Sequence, residues 1–507
     1  LNPAGGRTIL GHPPGLATLF FTEMWERLSF YGMRALLILF LADQVAHGGL
    51  GLDDRTASAI YGMYVGGTFL ACLPGGWIGD RVLGTQRAVL IGGIVITLGH
   101  LMLGFAPSTQ VFFLGLLVIV IGTGLLKPSA SALVAQLYPE GGARRDAGFT
   151  IYYVGINVGA TLGPLIAGWL ALRYGWPAGF MTAAVGMSAG VLQFAWGRRL
   201  LGDAGRAPMS ASSDATLAGP VPRAALRWIC LAAALIALLV FLLWSGRLHV
   251  VPVALAAVTT QAILGIAILY FAYLLFGAGL THIERLRVLA LAVLFLASAL
   301  FWAGYEQTGS SLNLFAERYT DRHLAGMVVP ASWFQALNPV FIVLFGPLFS
   351  ALWLWLARRH REPSTPLKFI FGLLGMGLGF VVMAAAARLV AGGHMVGMGW
   401  LSVTYLLHTW AELALSPVGL SVTTKLVPPR FVSQSLGIFF VSLSLGNLLA
   451  GRIAGDFDAS NLAAMPGQFM FIFWFAAVSA LLLALLLPLM RRWMAGVDHA
   501  GAEAQAN

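Results

Sequence analysis

Long apolar runs follow one another along nearly the whole chain, separated by short polar turns. They lie at 15–42, 56–79, 87–106, 110–137, 147–172, 178–198, 225–245, 251–277, 288–316, 331–357, 367–391, 398–426, 432–454 and 468–490. Each holds about 20 residues or more, the length a helix needs to cross the hydrocarbon of a bilayer. Within that hydrocarbon each run must satisfy its own backbone N–H and C=O groups, which a helix does. The expectation is an all-α polytopic membrane protein with fourteen transmembrane helices. Several runs exceed the hydrocarbon thickness, which implies tilt, kinks or ends that project into water. Composition agrees, since 59% of the 507 residues are hydrophobic and only 10% charged, against about 25% charged in soluble domains.

The positions of the basic residues orient these spans. Twenty of the 30 Lys and Arg residues fall on the termini and one set of alternate loops, among them Arg144, Arg145, Arg198, Arg199, Arg358, Arg359 and Arg361. Seven fall on the opposite set, and the remaining three, Arg27, Arg34 and Lys127, lie inside spans. By the positive-inside rule both termini are cytoplasmic. The net charge of +10, which on a soluble protein would suggest nucleic acid, is thereby a mark of topology, and no nucleic-acid partner is expected. Cys72 and Cys230 sit in apolar runs and read as packing residues, with no disulfide framework and no metal site. The sequence begins at Leu1 rather than at methionine, as expected of a trimmed chain, and no cleavable secretory signal is evident before the first span.

Residues 202–222, GDAGRAPMSASSDATLAGPVP, have linker composition and divide six spans from the rest. The two spans that follow hold no ionisable residue in their apolar cores and read as an inserted accessory hairpin on the lipid side. Six spans then remain on either side, the arrangement of the major facilitator fold. The expected organisation is a six-helix bundle over 1–200, a cytoplasmic linker over 201–222, the two-helix hairpin over 223–280, a second six-helix bundle over 281–495, and a disordered cytoplasmic tail over 496–507. Gly76-Trp-Ile-Gly-Asp80-Arg81-Val-Leu-Gly84-Thr-Gln-Arg87 resembles the cytoplasmic loop motif of that superfamily, in which an aspartate and arginines brace the inward gate. The resemblance assigns Asp80 and Arg81 to that gate.

The first span is unusual in its charges. Glu23, Glu26, Arg27, Tyr31 and Arg34 fall within roughly 140° of one helical face. An ionisable group at the bilayer centre costs at least about 2.5–3.5 kcal/mol, so such a stripe must face protein or a water-filled cavity. It reads as a substrate or ion pathway, with a structural ion-pair cluster between helices as the alternative.

Glu23-x-x-Glu26-Arg27 followed by Tyr31-Gly32 resembles the signature of the proton-dependent oligopeptide transporters. Further blocks extend the likeness over nearly the whole chain: Gly124-Leu-Leu-Lys127-Pro128, Asp146 through Tyr153 to Asn157, Phe301-Trp302-x-x-x-Glu306-Gln307, Trp333-x-x-x-x-Asn338-Pro339, and Glu412-x-x-x-Ser416-Pro417-x-Gly419. The resemblance implies a symporter that imports di- and tripeptides, and peptide-like drugs, by alternating access. It implies no enzyme and no cofactor, the proton gradient supplying the energy; the Arg-rich, Lys-poor usage and the accessory hairpin fit a bacterial member, in the cytoplasmic (inner) membrane. It places substrate contacts at Tyr31, Arg34, Lys127, Tyr153, Asn157, Trp302, Asn338, Glu412 and Ser416. It assigns proton coupling to Glu23, Glu26, Arg27 and Glu306, and adds Lys127, Glu306 and Glu412 to the gate. In the family the acid matching Glu306 pairs with the cation matching Lys127 or Arg34, so protonating Glu306 would free that cation for substrate.

The chemistry of these side chains fits the implication. A zwitterionic peptide needs an anion-binding and a cation-binding end; Arg34 and Lys127 suit its carboxylate, and Glu412 suits its ammonium. Asn157 and Asn338 can both donate and accept, for substrate or for an interhelical bond. Tyr31, Tyr153 and Trp302 offer apolar faces, to substrate side chains or to neighbouring helices. His408, one turn before Glu412, reads as packing rather than as a proton relay. Two positions depart from the family pattern: a tyrosine common in the second span falls on Phe69, and a tryptophan common in the eleventh falls on Phe439. Both changes remove a hydrogen-bonding tip and keep a ring. A same-fold carrier of another small anion such as nitrate is disfavoured by the complete acid set. A membrane-embedded enzyme or receptor lacks a metal cluster, a nucleophile–base pair or an appended soluble domain to support it.

Overall fold

The computed structural model describes residues 8–9, 11–139, 142–208, isolated positions between 227 and 247, and 251–428, 431–455 and 461–495. Among them fourteen α-helices follow one another: α1 (Gly15–Ala42), α2 (Asp54–Ile78), α3 (Thr85–Phe105), α4 (Thr109–Gln136), α5 (Gly142–Tyr174), α6 (Trp176–Gly197), α7 (Pro252–Ala272), α8 (His282–Tyr305), α9 (Ser311–Tyr319), α10 (Leu337–Arg358), α11 (Thr365–Ala391), α12 (Gly399–Leu426), α13 (Val432–Gly455) and α14 (Met465–Trp493). Eleven helical segments among the described residues are long and apolar enough to cross a bilayer. The 28-residue α1 has the length as well, and differs from those eleven in carrying Glu23, Glu26, Arg27 and Arg34. The span expected at 225–245 lies largely outside the described residues, though Arg227, Cys230 and Leu231 within it are helical. The expected tail at 496–507 lies outside them altogether.

The chain forms two compact units. The first comprises Leu1–Phe40, Val45–Leu50 and Gly67–Val251; the second comprises Leu41–Gln44, Gly51–Gly66 and Pro252–Asn507. In the first unit α3 and α4 approach backbone to backbone, because Gly92 faces Gly122 and Gly99 faces Gly115. A Cβ on either Gly92 or Gly99 would stand 2.8 Å from the opposite carbonyl oxygen. Such small-residue contacts are how helices associate where lipid removes the hydrophobic drive. Only part of the expected linker is described. Arg198–Leu201 form a 3-10 turn, and the chain to Arg206 then folds back on the start of α3. Gln86 donates from Nε2 to the carbonyls of Gly202 (3.1 Å) and Ala204 (2.7 Å), and from its backbone N–H to Gly205. That stretch is tied to the first unit, and 209–222 lie outside the described residues.

In the second unit Asp53 caps α2 by accepting from the Thr56 N–H at 3.0 Å, a bond that holds its carboxyl below the usual carboxylate range. A capping box of Thr281 and Glu284 starts α8. The run expected as one span over 288–316 is bent: α8 stops at Tyr305, Glu306–Gly309 form a 3-10 turn, and α9 resumes at Ser311. Arg318 on α9 pairs with Asp54 through two bonds of 2.6 and 2.8 Å. The one described hairpin helix, α7, packs on α13 and α8. The Tyr270 and Ser435 hydroxyls lie 3.1 Å apart, and the Phe271 and Phe295 rings 5.6 Å apart, while Val258, Ile268 and Leu269 stay exposed.

Candidate functional site

The first unit's charged stripe depends on glycine. Gly155, Gly159 and Gly163 recur every four residues on α5, and a methyl on Gly159 or Gly163 would overlap the carbonyl oxygen of Met24 or Leu28 on α1. The α5 backbone therefore lies directly against α1. That approach brings the Tyr152 hydroxyl to Glu23, where it donates to Oε2 at 2.5 Å. Arg27 Nε donates to Glu23 Oε1 at 2.7 Å and lies 3.0 Å from Glu26 Oε2. All four side chains are buried. Two carboxylates thus share one guanidinium away from water.

Other expected residues of the first unit surround this cluster differently. Arg34 is buried with its guanidinium over the Tyr31 ring, 5.7 Å from the centroid. Lys127 on α4 carries its ammonium over the ring of Phe69, 4.1 Å from the centroid. Phe69 thus contributes a face where the family commonly carries a hydroxyl as well. Asn157 is buried and donates to the Tyr153 carbonyl at 2.9 Å within α5, whereas the Tyr153 side chain is 46% exposed. Asp80 and Arg81 lie in a π-helical turn, Gly79–Leu83, that joins α2 to α3.

In the second unit the acid is Glu412 on α12. Its Oε2 accepts from the Tyr305 hydroxyl at 2.7 Å and from Asn338 Nδ2 at 2.9 Å, and Asn338 also donates to Thr409 at 3.1 Å. Of the two roles open to Asn338, the structure displays the interhelical bond. Tyr305, just before Glu306 in its sequence block, is a site residue the motif did not single out. Trp302 packs over Gly446, and its buried Nε1 has no hydrogen-bond partner among the described residues. Glu306 is 3% exposed, at the point where α8 gives way to the 3-10 turn. Ser416 lies one turn beyond Glu412 and is half-buried. His408 lies 3.1 Å from the Met376 carbonyl through Nε2, and its ring is tilted 47° to that of Phe380 at 5.0 Å, the arrangement of a packing residue. The Phe439 ring rests on Gly419, where a Cβ would stand 2.6 Å from its edge.

Known proteins resemble the chain over nearly its full length. The sequence model of the POT family matches residues 86–468. The peptide transporter YePEPT of Yersinia enterocolitica is 41% identical over 499 residues, covering 97% of each chain. A di-/tripeptide transporter of Lactococcus lactis is 35% identical over 470 residues, covering 90% of this chain and 92% of its own. Among solved structures, a mutant of a peptide transporter POT in complex with alafosfalin superposes with a TM-score of 0.88 at 38% identity, covering 97% of each chain.

Proposed function

The chain belongs to the POT family, and from that premise we propose that it is a proton-coupled symporter that imports di- and tripeptides by alternating access. The observation that carries this reading is the distribution of charge along the helices of the two units. The first unit holds two cations on aromatic faces, Arg34 and Lys127. The second holds a carboxylate, Glu412, steadied by Tyr305 and Asn338. A free peptide carries the complementary charges at its two ends, and the cost of charge within a bilayer argues against so many ionisable groups without such a use. Glu23, Glu26 and Arg27, with Glu306, are the groups through which we read the proton as coupled. The ligand alafosfalin in the related structure supports peptide-like drugs as a further substrate class. The alternate-loop excess of Lys and Arg supports cytoplasmic termini, and relatives from Yersinia enterocolitica and Lactococcus lactis support a bacterial inner membrane. The reading calls for no catalytic activity and no cofactor, only a proton gradient.

Competition against a labelled dipeptide in proteoliposomes tests the two-ended recognition. A dipeptide with an amidated C-terminus and one with an acetylated N-terminus each lose a charge-assisted contact of about 1.5–3 kcal/mol, so each is expected to compete one to two decades more weakly than the free dipeptide. Equal inhibition by the amidated and free forms would contradict the roles of Arg34 and Lys127. Equal inhibition by the acetylated form would contradict that of Glu412.

A further inference from the structure

The two buried acids of α1 share one guanidinium but receive unequal support. Glu23 takes Arg27 Nε on one oxygen at 2.7 Å and the Tyr152 hydroxyl on the other at 2.5 Å. Glu26 faces the same Nε at 3.0 Å, and its Oε2 accepts no hydrogen bond among the described residues. Two donors stabilise a carboxylate as an anion, and charge-assisted bonds of this kind are the stronger ones. We propose that Tyr152 is a positioning residue that sorts the proton between the two acids: its hydroxyl keeps Glu23 ionised and leaves Glu26 as the group that takes the proton. This rests on the proposed proton coupling and adds to it an assignment within the cluster.

The surroundings do not supply the inequality by themselves. The charged and titratable groups about the cluster are Arg27 and Tyr31 on α1, Lys127 on α4 and Cys72 on α2, with Ser131 of α4 beside the Tyr152 hydroxyl. Arg27 and Lys127 act on both acids. The phenol is set against Glu23 alone, because the glycines of α5 bring its ring to the turn of α1 that carries Glu23. The neighbouring Tyr153 is turned about 100° away on the same helix and is 46% exposed.

The test is where the proton resides. Infrared difference spectra of the purified transporter, taken between neutral and acid pH, read the protonated-carboxyl band. With Tyr152 intact, Glu26→Gln is expected to remove the band of this cluster and Glu23→Gln to leave it. Tyr152→Phe keeps the ring and removes the donor, so Glu23 now competes for the proton. The midpoint of the band and of the uptake–pH profile is expected to move to higher pH by about one unit. A band lost in Glu23→Gln and kept in Glu26→Gln, or kept in both, overturns the proposal, as does a Tyr152→Phe profile that coincides with the wild type. The comparison of the two glutamine variants needs no change at Tyr152, so it tests which acid takes the proton even if Tyr152→Phe does not fold. Should Glu26→Gln still accumulate peptide on a proton gradient, the assignment of coupling to this cluster fails. Should it not, while Tyr152→Phe titrates as wild type, only the role of Tyr152 falls.

Discussion

Glu26→Gln is expected to reduce proton-driven peptide uptake to the level of liposomes without protein, while exchange of labelled for unlabelled peptide persists. The neutral amide imitates the protonated acid permanently, so a cycle that must load a proton on one side and release it on the other cannot complete. Exchange requires the loaded carrier to reorient in both directions without releasing its proton, and the amide permits that. Glu306→Gln is expected to lose driven uptake in the same way, since Glu306 is an almost fully buried acid within an apolar helical segment, where charge is costly unless paired. Measuring both assays on the same liposomes separates a coupling defect from a folding defect, which would abolish exchange as well. Full driven uptake in both variants would show that the proton is carried elsewhere.

Glu412→Gln should weaken dipeptide affinity by one to two decades, the worth of a charge-assisted hydrogen bond of about 1.5–3 kcal/mol. The substitution is close to isosteric, and its amide can still accept from Tyr305 and Asn338, so packing at α12 is retained. What is lost is the charge that a peptide ammonium would answer. Removing a neutral support is milder: Tyr305→Phe deletes one bond to the carboxylate, and its effect on affinity should be the smaller of the two. Competition binding on purified protein reads both variants. A Glu412→Gln dissociation constant equal to the wild type would reduce Glu412 to an interhelical tie.

Much of this was legible in the sequence because the bilayer demands long apolar helices. The first run, read as 15–42, coincides with α1, and the run at 398–426 differs from α12 by one residue. The bend after α8 was hidden for the same reason. Glu306, Gln307, Thr308, Ser310 and Ser311 form a polar stretch that reading 288–316 as one span passes over, and all five are buried where the backbone leaves the helix. Gln307 makes the bend tolerable by donating to the carbonyls of Ala303 and Ala450. The charged stripe was legible from helical spacing, but its partner was not. Tyr152 and Tyr153 are neighbours in sequence, and the family block drew attention to Tyr153. Which of them meets Glu23 is decided by the rotation of α5 on α1, set by Gly155, Gly159 and Gly163. Composition marked 201–222 as linker, yet the turn at 202–206 is held to α3 through Gln86, a residue of the loop motif whose resemblance pointed to Asp80 and Arg81 instead.

Accumulation of a labelled dipeptide in proteoliposomes, with an inwardly directed proton gradient as the sole driving force, tests proton-coupled peptide import most directly. The account predicts that internal peptide rises above the external concentration, and that a protonophore collapses it to equilibration. Entry that stops at equal concentrations, or accumulation indifferent to the protonophore, would contradict it.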